Sequence, residues 1–348
     1  MATEMRLGKK WGLRRMATPE GHFAMVALDQ RPPLINLIAA KRGIAAADVG
    51  FSDMVAIKRM LVDVLGSHAS AMLFDPNYAF PAALQKLPAH TGLVVTLEDH
   101  RFRDTPGGRL SHSINDWSVE KIKRAGGDGV KVLAWYRPDA EPDVIAHQQK
   151  YVEDIGKECE RWDIPLVLEL LVYPFPQSAR HTLDYTESPE KLPELVIESV
   201  REFAKPKYRV DLFKLEAPLP GATLPARDGG AAQRAAQDWF DQIGAICKDA
   251  DIPWVMLSAG VTPPQFLRVM EYAYAAGSHG FLAGRAVWWQ ALQQFPDLAS
   301  CAAQLREQGS ATMADLLQLT RRAGTAWHAD YSAFDGMKAE GELCAAYA

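Results

Sequence analysis

Short runs of apolar residues recur along the chain, each closing on polar, glycine or proline positions. They occupy residues 22–30 (HFAMVALDQ), 71–78 (AMLFDPNY), 92–100 (GLVVTLEDH) and 129–136 (GVKVLAWY), then 165–173 (PLVLELLVY), 210–218 (VDLFKLEAP), 254–260 (WVMLSAG) and 280–288 (GFLAGRAVW). Near-continuous apolar runs of this length suit strands buried on both faces, as in parallel sheets. The stretches between them have helical spacing. Residues 52–69 set Val55, Ile57, Leu61, Val62 and Leu65 at that spacing, with Ser52 expected as the N-cap. Residues 142–162, 188–204, 231–250 and 263–276 read alike, the last opening on Thr262 as cap and Pro263 in the first turn. Strand–helix alternation repeated eight times predicts an α/β fold, a (β/α)8 TIM barrel. An open doubly wound sheet would need a glycine-rich turn after its first strand, and Asp29-Gln30-Arg31-Pro32-Pro33 is not one. The whole chain, 1–348, is expected to be one domain: a barrel core at about 22–295, an N-terminal strap before it and a helical extension over 296–348.

Alternation along a barrel strand sends successive side chains in and out. Val210, Leu212, Lys214 and Glu216 therefore share a face, as do Val167, Glu169, Leu171 and Tyr173, and as do Lys131, Leu133 and Trp135. Three strands thus each set a charge among large apolar neighbours, and isolated ions there would cost several kcal/mol, so the three are expected to compensate one another. One reading is an ion pair that only fixes register. The other is chemical. A lysine attacks a carbonyl as the free amine, which burial and a neighbouring cation such as Lys131 favour at Lys214, while Glu169 offers a carboxylate for proton transfer. Ser258 and Gly260 end the seventh run, and Gly284 and Arg285 lie in the eighth. Loops at these two places commonly form the phosphate site of such barrels, and an arginine there can hold a phosphate with two hydrogen bonds. Asp29 and Gln30 close the first run and Asp75 the second, where polar groups face the active site. Asp75-Pro76 fits a simple turn equally well.

Composition narrows the functional classes. Of 348 residues, 38 are Lys or Arg and 43 Asp or Glu, a net charge of −5 without a run of five like charges, which argues against a general nucleic-acid binder. No apolar run approaches the ~20 residues of a membrane span, and no apolar h-region follows Arg6, Lys9, Lys10, Arg14 and Arg15, so neither a membrane partner nor a secretory signal is expected. Cys159, Cys247, Cys301 and Cys344 have neither metal-ligand nor redox-motif spacing, which fits a reduced, cytoplasmic protein. Trp288-Trp289 and Trp239-Phe240 read as core or subunit contact.

Lys214 within its run, the Ser258-Ala259-Gly260-Val261 stretch, the run from Gly280 to Ala286 and Ala27-Leu28-Asp29-Gln30-Arg31 resemble the class I aldolases that cleave tagatose 1,6-bisphosphate. The related 6-deoxy-6-sulfofructose-1-phosphate aldolases are similar, and the resemblance spans about residues 20–295. It implies a retro-aldol reaction with neither metal nor cofactor, acting on a small phosphosugar. Lys214 would form a Schiff base with the ketose C2, Glu169 would move protons, Lys131 would lower the Lys214 pKa, and Asp29 and Gln30 would contact the sugar. Ser258, Gly260, Gly284 and Arg285 would hold the C1 phosphate, and dihydroxyacetone phosphate would be one product. The first strand of those enzymes continues Asp-Gln-Arg-Gly-Ser where this chain has Arg31-Pro32-Pro33. Their third ends Glu-Lys-Thr-Gly-Tyr where this chain has Glu98-Asp99-His100-Arg101. The distal group of the substrate is accordingly open between phosphate, sulfonate and something uncharged. Arg31, Arg101, Arg103 and Arg180 are either anion ligands or ordinary surface arginines. A metal-dependent aldolase, with His22, His100 and His279 gathered across strands, and a catalytically silent sugar-phosphate-binding barrel are the alternatives. Association into a homo-oligomer is expected.

Overall fold

The computed structural model describes residues 6–179, 181, 193–327 and 340–346. Eight strands, one inside each apolar run, are β1 (Phe23–Leu28), β2 (Ala71–Phe74), β3 (Gly92–Thr96), β4 (Gly129–Trp135), β5 (Leu166–Leu171), β6 (Leu212–Leu215), β7 (Trp254–Leu257) and β8 (Gly280–Ala283). Each pairs in parallel with its sequence neighbours, and β1 pairs with β8, Phe23 opposite Gly280, so the sheet closes into a (β/α)8 TIM barrel. Burial on both faces explains why the strands read as unbroken apolar runs.

The expected helices are present at Pro142–Arg161, Pro193–Phe203, Ala231–Asp249 and Pro263–Ala275. The last begins as its sequence suggests: Thr262 and Gln265 form a reciprocal capping box, followed by proline in the first turn. The helix placed at 52–69 runs instead over Phe51–Leu65 with Gly50 at the N-cap, so Ser52 lies inside the first turn and caps nothing. The expected start of a helix at 188 lies outside the described residues. Between β3 and the following helix, Arg103–Thr105 and Gly108–Leu110 form a small antiparallel ribbon that periodicity did not announce.

Inward side chains fill the lower barrel in an apolar layer made of Phe23, Met25, Leu73, Val94, Val167, Leu212, Val255 and Leu282. The underside is closed by the strap, a helix over Leu7–Met16 whose Leu13 and Met16 join this layer, and by Trp327, whose backbone N–H donates to Gly21 O at 2.9 Å. Gly12 permits the helix to lie this close, since a Cβ there would meet Asp128 O at 2.4 Å. Leucine, valine and phenylalanine on the outer strand faces pack against the helices in a second, larger core. Among the described residues no helix is long and apolar enough to cross a membrane.

The strap is anchored by charge as well as by packing. Lys9 Nζ lies 2.8 Å from Asp211 Oδ2, both buried, and the same oxygen accepts from Leu166 N at 2.8 Å. Burial pushes the Asp211 carboxyl up against the opposing pull of Lys9. Lys9→Met strands a buried carboxylate, so we expect a loss of about 3 kcal/mol in urea unfolding. Asp211→Asn in the same chain should restore most of that loss, and equal stability of Lys9→Met and wild type would show that packing alone holds the strap.

Candidate active site

Above the apolar layer, strand alternation brings charges inward. Val167 and Leu212 belong to that layer, so Glu169 and Lys214, two residues further on, enter the next one, directly opposite each other in register. Glu169 joins two lysines: Oε1 lies 2.9 Å from Lys214 Nζ and Oε2 2.7 Å from Lys131 Nζ. Lys131 Nζ also lies 2.6 Å from Glu98 Oε1 and 2.9 Å from Asp29 Oδ2. All five side chains are buried.

Their electrostatics follow from the crowding. Burial by itself favours a neutral Lys131, but Asp29, Glu169 and Glu98 outweigh it and hold the ammonium well above the ordinary lysine value. Burial likewise favours a protonated Asp29, yet Lys131, Lys214 and Arg31 hold its carboxyl below the usual carboxylate range. At neutral pH Asp29 is an anion and an acceptor of hydrogen bonds, and Lys131 is a fixed cation.

These groups stand in the wall of one cavity at the C-terminal end of the barrel, which Gln30, Arg31, Ser258, Gly260, Gly284 and Arg285 also line. On the β7 side, Val261 N donates to Ser258 O at 3.0 Å across a tight turn, with Ala259 and Gly260 both at positive φ (+49° and +84°). Gly260 also makes room, since a Cβ there would sit 3.1 Å from the Arg285 guanidinium carbon. Ser258 Oγ accepts from Gly284 N at 3.2 Å, tying the two loops together. On the β1 side, Arg31 Nη1 and Nη2 donate at 3.4 Å to Asn77 Oδ1 and Glu98 O.

Asp75 is the exception and corrects the expectation of a substrate contact. It is fully buried, pairs with Lys58 and accepts from Asn77 N and Tyr78 N at 3.0 and 2.7 Å. The chain turns immediately after β2, and the carboxylate is consumed in holding that turn, the other of the two readings. Of the three distal arginines among the described residues, Arg31 alone reaches the cavity. Arg101 is forked onto Asp99 at 3.2 and 2.9 Å, Arg103 is exposed on the ribbon, and Arg180 lies outside the described residues.

Glu98, His100 and Trp135 also line the cavity, though the sequence assigns none of them a catalytic or substrate-binding role. Strand alternation was the available signal for the first, because Val94, Thr96 and Glu98 continue one inward face past the end of β3. Trp135 is held from behind by the ribbon. The Arg109 guanidinium stacks within 4.1, 4.5 and 5.0 Å of the Phe102, Trp135 and Tyr173 rings, and Arg109 N donates to Tyr173 Oη at 2.9 Å. His22 and His279 precede β1 and β8 at the bottom of the barrel, whereas His100 follows β3 at the top, so these three do not converge. Among the described residues no group of His, Cys, Asp and Glu is placed to hold a metal ion.

Comparison with known proteins places the chain. Residues 23–290 match the model of the DeoC/LacD family aldolases. Tagatose 1,6-diphosphate aldolase 2 of Enterococcus faecalis is 32% identical over 339 residues, covering 94% of this chain and 98% of that one. Tagatose 1,6-diphosphate aldolase of Listeria monocytogenes is 31% identical over 335 residues, covering 94% and 96%. Among solved structures, a Schiff-base-forming fructose-1,6-bisphosphate aldolase superposes with a TM-score of 0.52 at 18% identity, covering 85% of this chain and 98% of that one, a likeness that speaks for the fold.

His100 supplies a test of the cavity's electrostatics. Burial, then the Arg31 charge, lower its pKa to about 4, against the pull of Asp99 at 3.3 Å. A histidine that titrates at 6.5 when unfolded and near 4 when folded lends stability that is complete above 6.5 and lost as pH falls toward 4. By NMR the His100 ring should therefore show no protonation step above about pH 5. His100→Gln should flatten the decline of the urea midpoint over the same interval, and a His100 step near the ordinary histidine value would contradict this placement.

Proposed function

The chain belongs to the DeoC/LacD family of aldolases, and from that premise we propose that it is a class I enzyme cleaving a ketohexose 1-phosphate through a Schiff base on Lys214. The observation that carries the reading is the shared carboxylate: Glu169 touches the Lys214 amine through one oxygen and the fixed Lys131 ammonium through the other. A nucleophilic lysine needs an adjacent group that takes its proton, and a proton shuttle needs to be held still. Glu169 meets both requirements.

In the proposed sequence the neutral Lys214 amine adds to the C2 carbonyl, and loss of water leaves an iminium. Glu169 accepts the proton of the C4 hydroxyl. The electrons of the C3–C4 bond pass into the iminium, which becomes an enamine, and the C4 fragment departs as an aldehyde. Glu169 returns the proton to C3, and water then releases dihydroxyacetone phosphate and restores the amine. The iminium is the electron sink, so this chemistry calls for neither metal nor cofactor. Asp29 and Gln30 are assigned to the sugar hydroxyls, with Asp29 acting as an acceptor only. The C1 phosphate is assigned to Arg285 and the turn at Ser258 and Gly260, with Gly284 keeping a side chain out of the way: a Cβ there would meet Gln30 Nε2 at 2.8 Å. The names of the curated relatives favour tagatose 1,6-bisphosphate as the starting point for substrate tests. Four cysteines without disulfide partners suit a reducing compartment such as the cytoplasm.

Borohydride added with dihydroxyacetone phosphate should leave a covalent adduct on Lys214, seen by intact mass and absent from Lys214→Met. An unmodified wild-type mass would overturn the Schiff-base reading, and activity lost to a chelator would point to the metal-dependent alternative.

Glu169→Gln separates the two duties of the carboxylate. The amide keeps a carbonyl oxygen for Lys214 but cannot take up a proton, so we expect the trapped adduct still to form, more slowly, while kcat falls by about 10²-fold or more. Undiminished turnover would reassign the proton transfer to another group.

A further inference from the structure

The distal end of the cavity has a chemistry of its own. In barrel order β3 and β4 stand across from β7 and β8, so the wall opposite Arg285 is built from Glu98, His100, Leu133 and Trp135, with Arg31 entering from β1. Glu98 is 3% exposed, and while its Oε1 is bonded to Lys131, its Oε2 is buried without a hydrogen-bond partner. A buried carboxylate oxygen left in this condition calls for a donor.

The charges around this oxygen are largely taken up, with Arg31 the exception. Lys131 is divided among three carboxylates and His100 is neutral. Arg31 keeps its buried Nε without a hydrogen-bond partner, so this wall offers an N–H beside an unpartnered carboxylate oxygen, a pair that a hydroxyl, both acceptor and donor, can satisfy. The helix Pro32–Arg42 begins at this wall, where a helix N-terminus would ordinarily offer N–H groups to an anion. Its first two residues are prolines, which have no N–H to offer. A phosphate placed here would meet the unpartnered Glu98 oxygen with acceptors only.

Resting on the Schiff-base reading above, we propose that the substrate is a ketohexose 1-monophosphate whose far end is uncharged and donates a hydroxyl to Glu98 Oε2. The bond broken is still C3–C4, and the departing product is an uncharged hydroxyaldehyde. The Glu98 carboxylate then has a partner on each oxygen, Lys131 on one and the substrate on the other. Selectivity against a C6 phosphate arises from repulsion as much as from the gained hydrogen bond.

The test is kcat/KM for matched ketohexose 1-phosphates carrying a C6 hydroxyl, phosphate or sulfonate, with wild type, Glu98→Gln and His100→Lys. Wild type should favour the hydroxyl over the phosphate by about tenfold or more. Glu98→Gln should erase most of that preference, and His100→Lys should raise the C6-phosphate value selectively. Equal or better use of the C6 phosphate or sulfonate by wild type overturns the proposal, as does an equal loss on all three substrates in Glu98→Gln. Should that variant not fold, the wild-type and His100→Lys series decide. Dihydroxyacetone phosphate lacks a distal group, so borohydride trapping reports on the Schiff base alone. A trapped adduct with a bisphosphate preference refutes only the distal assignment, and no adduct refutes the chemistry beneath it.

Discussion

A single ammonium group among three carboxylates organises the upper half of this barrel. Lys131 Nζ contacts Asp29 from the end of β1, Glu98 from the end of β3 and Glu169 on β5. Inward side chains in a barrel layer come from alternate strands. Here the acids lie on β5 or just past the ends of β1 and β3, and the two lysines lie on β4 and β6. Each strand carrying a member of this set is thereby held at a fixed height relative to the others, because sliding by one residue would turn an ion outward and leave its partners buried and uncompensated.

The apolar layer below makes that arrangement durable. With water excluded from beneath by valine, leucine and phenylalanine, the attraction between Lys131 and its acids is screened little and keeps the buried lysine charged. The aromatic clamp around Arg109 does related work at the rim, where a cation among three rings stiffens the back of Trp135 without adding an unbalanced anion to the cavity. The floor keeps water from the charged set and the rim fixes the shape of the opening.

The eight strands and most of their helices were legible because burial on both faces erases the polar half of a strand's alternation and leaves unmistakable apolar runs. The same alternation singled out Lys131, Glu169 and Lys214 as one inward group. It fell short where regular structure ends. Glu98 stands two residues past β3, where a polar run looks like any loop, although its side chain still points with the strand. Asp75 occupies an equivalent place after β2 and looked the same in sequence, but Lys58, from the helix packed outside, takes its charge away from the cavity. Which strand-end acid is claimed by a neighbouring helix depends on tertiary contact and has no local signature. The Arg103–Leu110 ribbon failed for a simpler reason, since strands of three residues are too short to show a period.

The seal beneath the barrel bears on how the chain comes to its shape. Gly21 and Trp327 meet there across most of the sequence, and Lys9 waits for Asp211, 202 residues away. Closing such long loops carries an entropic cost that grows only slowly with length, but the contact must wait for the distant segment to exist. The strap helix precedes all eight barrel strands and is among the last segments to find its place. Until β6 emerges, Lys9 has no buried counter-charge and the floor that Leu13 and Met16 cover is incomplete, so the strap can lock into place only after most of the barrel has been made.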